Sequence, residues 1–347
     1  MNTAILFISS GLFLGWSLGA NDAANLFGTA VGAKVISFKT AAVIMSIFVI
    51  IGAVASGSGA SHTLGKLGAI TSLPGAFIVA LAAGITVFIM TRYGLPVSTS
   101  QSIVGAIIGW NLFSSNPTSM ATLSKIVLTW VLCPILAALF SILFYKLFKR
   151  QTRTLKLNLF YRYYYIRLGL IIVGAFGAYS LGANNIANVM GVFTNAIDLP
   201  SMSLYFFTVD KTQILFFLGS LAIAVGIFTY SKNVMATVGN SLYRLSPSTA
   251  LIVVLSSSFV LFLFASVSLQ DLLISLNLPP IPLVPVSSSQ AVVGAIIGIG
   301  VARGDRNINF SKLKRISFGW LLTPTISLLL SYISLFFMQN VFMQSVF

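Results

Sequence analysis

Asp22 is the only acidic residue among the first 197 positions, and it stands in Ser17-Leu18-Gly19-Ala20-Asn21-Asp22-Ala23-Ala24-Asn25 directly after an apolar run. A carboxylate in apolar surroundings is costly enough to mark a functional site. It can coordinate a coupling cation together with backbone carbonyls and amide oxygens, or it can carry a proton. Asn25, three residues on, shares a helix face with it and adds an amide. Asn21, Asn184, Asn185 and Asn188 offer further acceptors and NH₂ donors. A second cluster is rich in donors: Ser98, Thr99, Ser100, Gln101 and Ser102, with Ser287, Ser288, Ser289 and Gln290 as its counterpart. Hydroxyls and amides at two helix N-termini make a neutral donor cage suited to an oxyanion. Ser and Thr also serve as glue between packed helices, but duplication beside a proline favours the binding reading.

The other ionisable residues point elsewhere. Asp198, Asp210, Asp271 and Asp305 fit solvated loops or helix ends, and there is no glutamate. His62, the one histidine, lies in a Gly/Ser-rich stretch at 56–65 that reads as a loop, and alone it favours no metal site. Cys133 has no partner for an internal disulfide and sits in an apolar run, so it reads as packing. An intramembrane hydrolase would need a nucleophile with a base. The histidine is remote in sequence from both serine clusters, and no carboxylates are paired, so the chain reads as a non-enzyme without a cofactor.

These residues must be positioned by helices in a bilayer. Of 347 residues, 57% are hydrophobic and 7% charged, and several apolar runs reach the ~20 residues that span a hydrocarbon core. They cover 3–20, 40–57, 74–91, 126–145, 212–230, 248–267 and 316–338. None alternates as barrel strands do. The net charge of +15 is confined mainly to two segments. Lys146, Lys149, Arg150, Arg153, Lys156, Arg162 and Arg167 crowd the middle of the chain, and Arg303, Arg306, Lys312, Lys314 and Arg315 precede the last span. Loop 111–123 carries no charge. That is the positive-inside bias, which places the basic loops in the cytoplasm and the uncharged loop and both termini outside. The charge orients the chain against a lipid bilayer and needs no nucleic acid.

The chain also repeats itself. Residues 17–28 return as 180–191 with eight of twelve identical, and Pro96–Gly109 returns as Pro285–Gly298 with eleven of fourteen identical. Trp130 and Pro134 are echoed by Trp320 and Pro324. Span 126–145 begins at the uncharged loop and 316–338 at a basic one, so equivalent spans run in opposite directions. The predicted fold is therefore an all-α polytopic membrane protein of two inverted-topology repeats, residues 1–148 and 166–347, joined by a basic cytoplasmic linker at 149–165. The Asn-Asp motif predicts a broken helix. Each Pro-Val-Ser motif opens an apolar run of about ten residues, too short to span, which predicts a re-entrant hairpin.

Gly19-Ala20-Asn21-Asp22-Ala23-Ala24-Asn25…Gly28-Thr29-Ala30-Val31-Gly32, Pro96-Val97-Ser98-Thr99-Ser100 and Arg315…Trp320…Pro324 resemble the signatures of the PiT family of inorganic phosphate transporters, which includes bacterial sulfate permeases. The resemblance runs through both halves. It implies symport of a tetrahedral inorganic oxyanion with Na⁺ or H⁺ in the cell membrane, contacts from both hairpins and both Asn-Asp segments, and a homodimer. Two departures stand out: Asn185 where phosphate members usually carry a second aspartate, and Ser100-Gln101 and Ser289-Gln290 where they often have Thr-His. Losing a carboxylate weakens a full set of Na⁺ ligands, leaving Asp22 as the candidate Na⁺ ligand. It also removes an acceptor for the proton that phosphate keeps near neutral pH, whereas sulfate needs only donors. These changes favour sulfate with H⁺ carried by Asp22, ahead of Na⁺-coupled phosphate. A passive anion channel is the remote alternative, since charged selectivity rings are absent.

Overall fold

The computed structural model describes residues 2–93, 97–154, 158–198, 202–204, 207–238, 245–304 and 310–347. Pro96, Lys156, Asp305 and Arg306 lie outside them. Apolar segments that must satisfy every backbone group internally fold as helices, and these do. The first half runs α1 (Asn2–Gly32), α2 (Phe38–Ser56), α3 (Ser58–Leu67), α4 (Leu73–Arg92), α5 (Thr99–Phe113) and α6 (Met120–Thr154). In the second half α7 (Leu159–Met190), α8 (Lys211–Thr229), α9 (Ser231–Val238), α10 (Pro247–Leu263), α12 (Ser288–Arg303) and α13 (Phe310–Asn340) repeat that order, with α11 (Val267–Ser275) inserted. Among the described residues, six helices are long and apolar enough to cross a membrane; α10 with α11, bent by 65°, makes a seventh. The protein is a multi-pass membrane protein.

The structure corrects several expectations. Helix continues unbroken through Asn21-Asp22 in α1 and through Asn184-Asn185 in α7. The broken span lies instead between α10 and α11, where the expected run 248–267 ends at Leu263 and Ser266 starts a new helix by accepting the N–H of Leu269. His62 lies on a helix rather than in a loop, because Ala60, Ser61, Leu64 and Leu67 bury one face of α3 at helical spacing. The linker is largely the helical ends of α6 and α7. The fold also holds a short antiparallel ribbon, β1 (Met202–Leu204) with β2 (Phe207–Val209), outside the helical frame.

The halves clasp each other. α1 packs on α8 while its counterpart α7 packs on α2, and α5 packs on α13 while α12 packs on α6. The close approaches are duplicated residue for residue. A Cβ on Gly19 would overlap the carbonyl of Ile223, and one on Gly182 would overlap that of Val49. Likewise Gly105 faces the carbonyl of Pro324, and Gly294 that of Pro134. Small residues let membrane helices approach closely enough for such packing. The repeats therefore form one bundle around α1 and α7, which carry the Asn-Asp motifs.

Candidate functional site

Each Pro-Val-Ser motif caps a short helix. Ser98 and Ser287 take extended backbone, and their hydroxyls accept the N–H of Gln101 and Gln290, both at 3.2 Å. At 15 and 16 residues, α5 and α12 reach about 22–24 Å, short of a ~30 Å hydrocarbon core. Their first-turn N–H groups, those of Thr99, Ser100, Ser288 and Ser289, lie ahead of any intrahelical carbonyl. The two N-termini meet within the bundle, where the Ser100 hydroxyl donates to the carbonyl of Val286 at 2.9 Å.

The Asn-Asp helices hold these tips in place. Asn21 donates to the Val97 carbonyl at 3.2 Å and to Asp22 Oδ1 at 2.9 Å. Asn184 donates to the Val284 carbonyl at 3.2 Å and accepts the Val286 N–H at 2.9 Å. One turn further along, the asparagines reach across to the opposite half. Asn25 donates to Ser288 Oγ at 3.3 Å, and Asn188 donates to Ser100 Oγ at 2.9 Å. Asp22 is 1% exposed, and Asn25 alone among the motif asparagines is only partly buried. Asn25, one turn on from the buried Asp22, therefore joins the first half's motif to a hydroxyl at the helix terminus of the other half.

The expected residues do not all contribute in the same way. Asn21 pairs with Asp22, Asn25 with Ser288, and Asn188 with Ser100. Thr99, Gln101 and Gln290 are buried with unpartnered oxygens, and Asn188 Oδ1 likewise lacks a partner. Buried polar atoms are ordinarily paired, and these four are not paired within the protein. Ser287 and Ser289 bond each other at 3.0 Å. Asn184 is committed to the second tip. Asn185 donates to its own helix at Leu181 and accepts from Asn188. Ser102 donates to the Ala83 carbonyl at 3.0 Å and to Ser327 Oγ at 3.3 Å, on two neighbouring helices. Sequence reasoning missed the backbone partners Val97, Val284 and Val286, which no side-chain motif could announce. Cys133 is buried, as expected, with its thiol facing the Ser287 carbonyl at 3.6 Å.

A profile of the phosphate transporter family matches residues 18–331, with a second, overlapping match over 282–345. The chain belongs to the phosphate transporter family. Apart from Ser17, both copies of each motif lie within the matched residues. A candidate phosphate permease of Thermococcus kodakarensis is 27% identical, over 94% of this chain and 95% of its own length. The sulfate permease of Bacillus subtilis is 29% identical, over 95% of this chain and 86% of its own. A solved structure, titled the sodium-dependent phosphate transporter, superposes with a TM-score of 0.73 at 25% identity, covering 96% of this chain and 99% of that one. As a member of the phosphate transporter family, the chain is an inorganic-anion permease rather than an enzyme.

Proposed function

We propose that the chain is a secondary active symporter that imports sulfate, with H⁺ as the coupling ion. One observation carries this reading: the site is duplicated except at its charge. Asp22 is its single carboxylate, and the matching position holds Asn185, an amide engaged with Leu181 and Asn188. The remaining shell supplies hydroxyls, amides and two helix N-termini, which suit a fully deprotonated dianion. Asn21, Asn25, Asn184, Asn185, Asn188 and the two serine-rich tips hold or frame the anion, and Asp22 carries the proton. The similarity to a sulfate permease supports the substrate.

Sodium-coupled phosphate transport is a second reading, favoured by the similarity to a sodium-dependent phosphate transporter. A buried carboxylate such as Asp22, with amide oxygens among its neighbours, also suits a hard cation. In both readings residues 1–148 and 166–347 are the inverted halves, the chain sits in the cell membrane with both termini outside, and a second copy is its partner. Uptake of radiolabelled sulfate and phosphate into proteoliposomes, under imposed H⁺ and Na⁺ gradients in turn, tests this. Sulfate accumulation driven by the H⁺ gradient is expected. Phosphate uptake that excess sulfate does not compete, driven by Na⁺ alone, would overturn it.

A further inference from the structure

Beyond the motif residues, a cavity of about 280 Å³ lies between α3, the start of α6, α11 and the extended segment that leads to the second tip. His62, Lys66 and Lys125 line it with Gln270 and Thr122, and no carboxylate is among its lining residues. Its fourth wall is the chain at Pro282–Val284. That wall is built into place: Thr63 donates to the Leu283 carbonyl, and Gln270 donates to the Ile281 carbonyl at 3.0 Å. Val284 belongs to both compartments, because it lines the cavity while its carbonyl takes the amide of Asn184. Val284 therefore borders both the doubly cationic hollow and the Asn184 amide.

Two sequence facts make Lys125 more than a stray surface charge. It precedes Trp130 and Pro134 at the spacing with which Arg315 precedes Trp320 and Pro324, so a cation stands at this place in both halves. It also follows the uncharged loop 111–123, where the orientation bias would disfavour a lysine. We propose that Lys66 and Lys125, with His62 and Gln270, form an outer anion-binding vestibule that captures the oxyanion before it passes Val284 into the central site. Two ammonium groups in a walled cleft concentrate a dianion without the geometric demand of a selective site. The vestibule binds sulfate and phosphate alike and leaves selection to the shell behind it. The inference rests on oxyanion transport as the chain's function, but not on which oxyanion is carried.

The single native cysteine, Cys133, is buried and gives a silent background for chemical labelling. In Thr122→Cys, an anionic methanethiosulfonate should react roughly ten-fold or more faster than a cationic one, after correction for their intrinsic rates, as electrostatic focusing in clefts allows. Millimolar sulfate or phosphate should slow the anionic reagent. Adding Lys66→Gln and Lys125→Gln should bring the ratio to near one. A ratio near one before the lysines are removed, or no protection by either anion, would overturn the vestibule. Independently, Lys66→Gln/Lys125→Gln should raise KM for uptake several-fold at an unchanged maximal rate; an unchanged KM would equally sink it. The labelling does not depend on transport, so a vestibule that binds anions in a chain that fails to accumulate sulfate would count against the proposed transport and not against the vestibule.

Discussion

At the scale of single residues, Asp22 and Asn185 occupy matching positions with opposite chemistry. Asp22→Asn keeps the shape and the bond from Asn21 but removes the only charge in the shell. It should abolish accumulation against a gradient while leaving the melting temperature in detergent nearly unchanged; near-normal accumulation would reduce Asp22 to a structural role. Asn185→Asp restores a second carboxylate and with it an acceptor for a phosphate proton. Competition assays should then show phosphate displacing labelled sulfate better than in the parent, and an unaltered ratio would remove Asn185 from selectivity. Asn188 and Ser100 join the two halves by a buried bond. A double-mutant cycle of Asn188→Ala and Ser100→Ala should show a coupling of about 0.5–1.5 kcal/mol in unfolding.

At the scale of elements, the caps and the glycine contacts set the positions of these residues. Ser98→Ala and Ser287→Ala each remove an N-cap acceptor and should each cost about 1 kcal/mol of stability, with similar falls in melting temperature because the cap geometry is the same at both. Sequence made the hairpin helices legible, since proline, an N-cap serine and a short apolar run state the start of a helix directly. It misread the Asn-Asp segment for a definite reason. Glycine and asparagine weaken an isolated helix, yet Gly19 and Gly182 stand there to let another helix's carbonyl approach, and packing decides the outcome. The same limit hid α3: its apolar face shows only four buried positions within a Gly/Ser-rich stretch. The vestibule was illegible because its lysines, histidine and glutamine come from three helices far apart in sequence.

At the scale of the whole molecule, each short helix is seated on the final span of the opposite half, so neither half completes its own core. Gly105→Val and Gly294→Val, which drive a side chain into the Pro324 and Pro134 carbonyls, should each lower stability by about 1–3 kcal/mol or more. A chain cut between 154 and 158 and expressed as two pieces should co-purify as one complex, whereas either piece alone should be degraded or aggregate. Recovery of a well-folded single piece would show that the clasp is dispensable. The repeats, and the reversal of their direction, were readable from identities and charge alone. Which helix of one half touches which of the other was not, because the pairing follows from close approaches at glycines that leave no periodic trace.

The reciprocal clasp has a historical reading. If each half needs the other's final helix, a primordial gene encoding only one of them would have made a useful product by pairing two copies inserted in opposite senses. Such a polypeptide has to be indifferent to its own orientation, with its basic residues balanced on both faces. Once fused, each copy was free to fix its direction through charge, and the basic residues now cluster around 146–167 and 303–315. Fusion also released the two copies of the central motif from having to be identical. A carboxylate in one copy where the other has an amide is an asymmetry that no pair of identical subunits could have encoded.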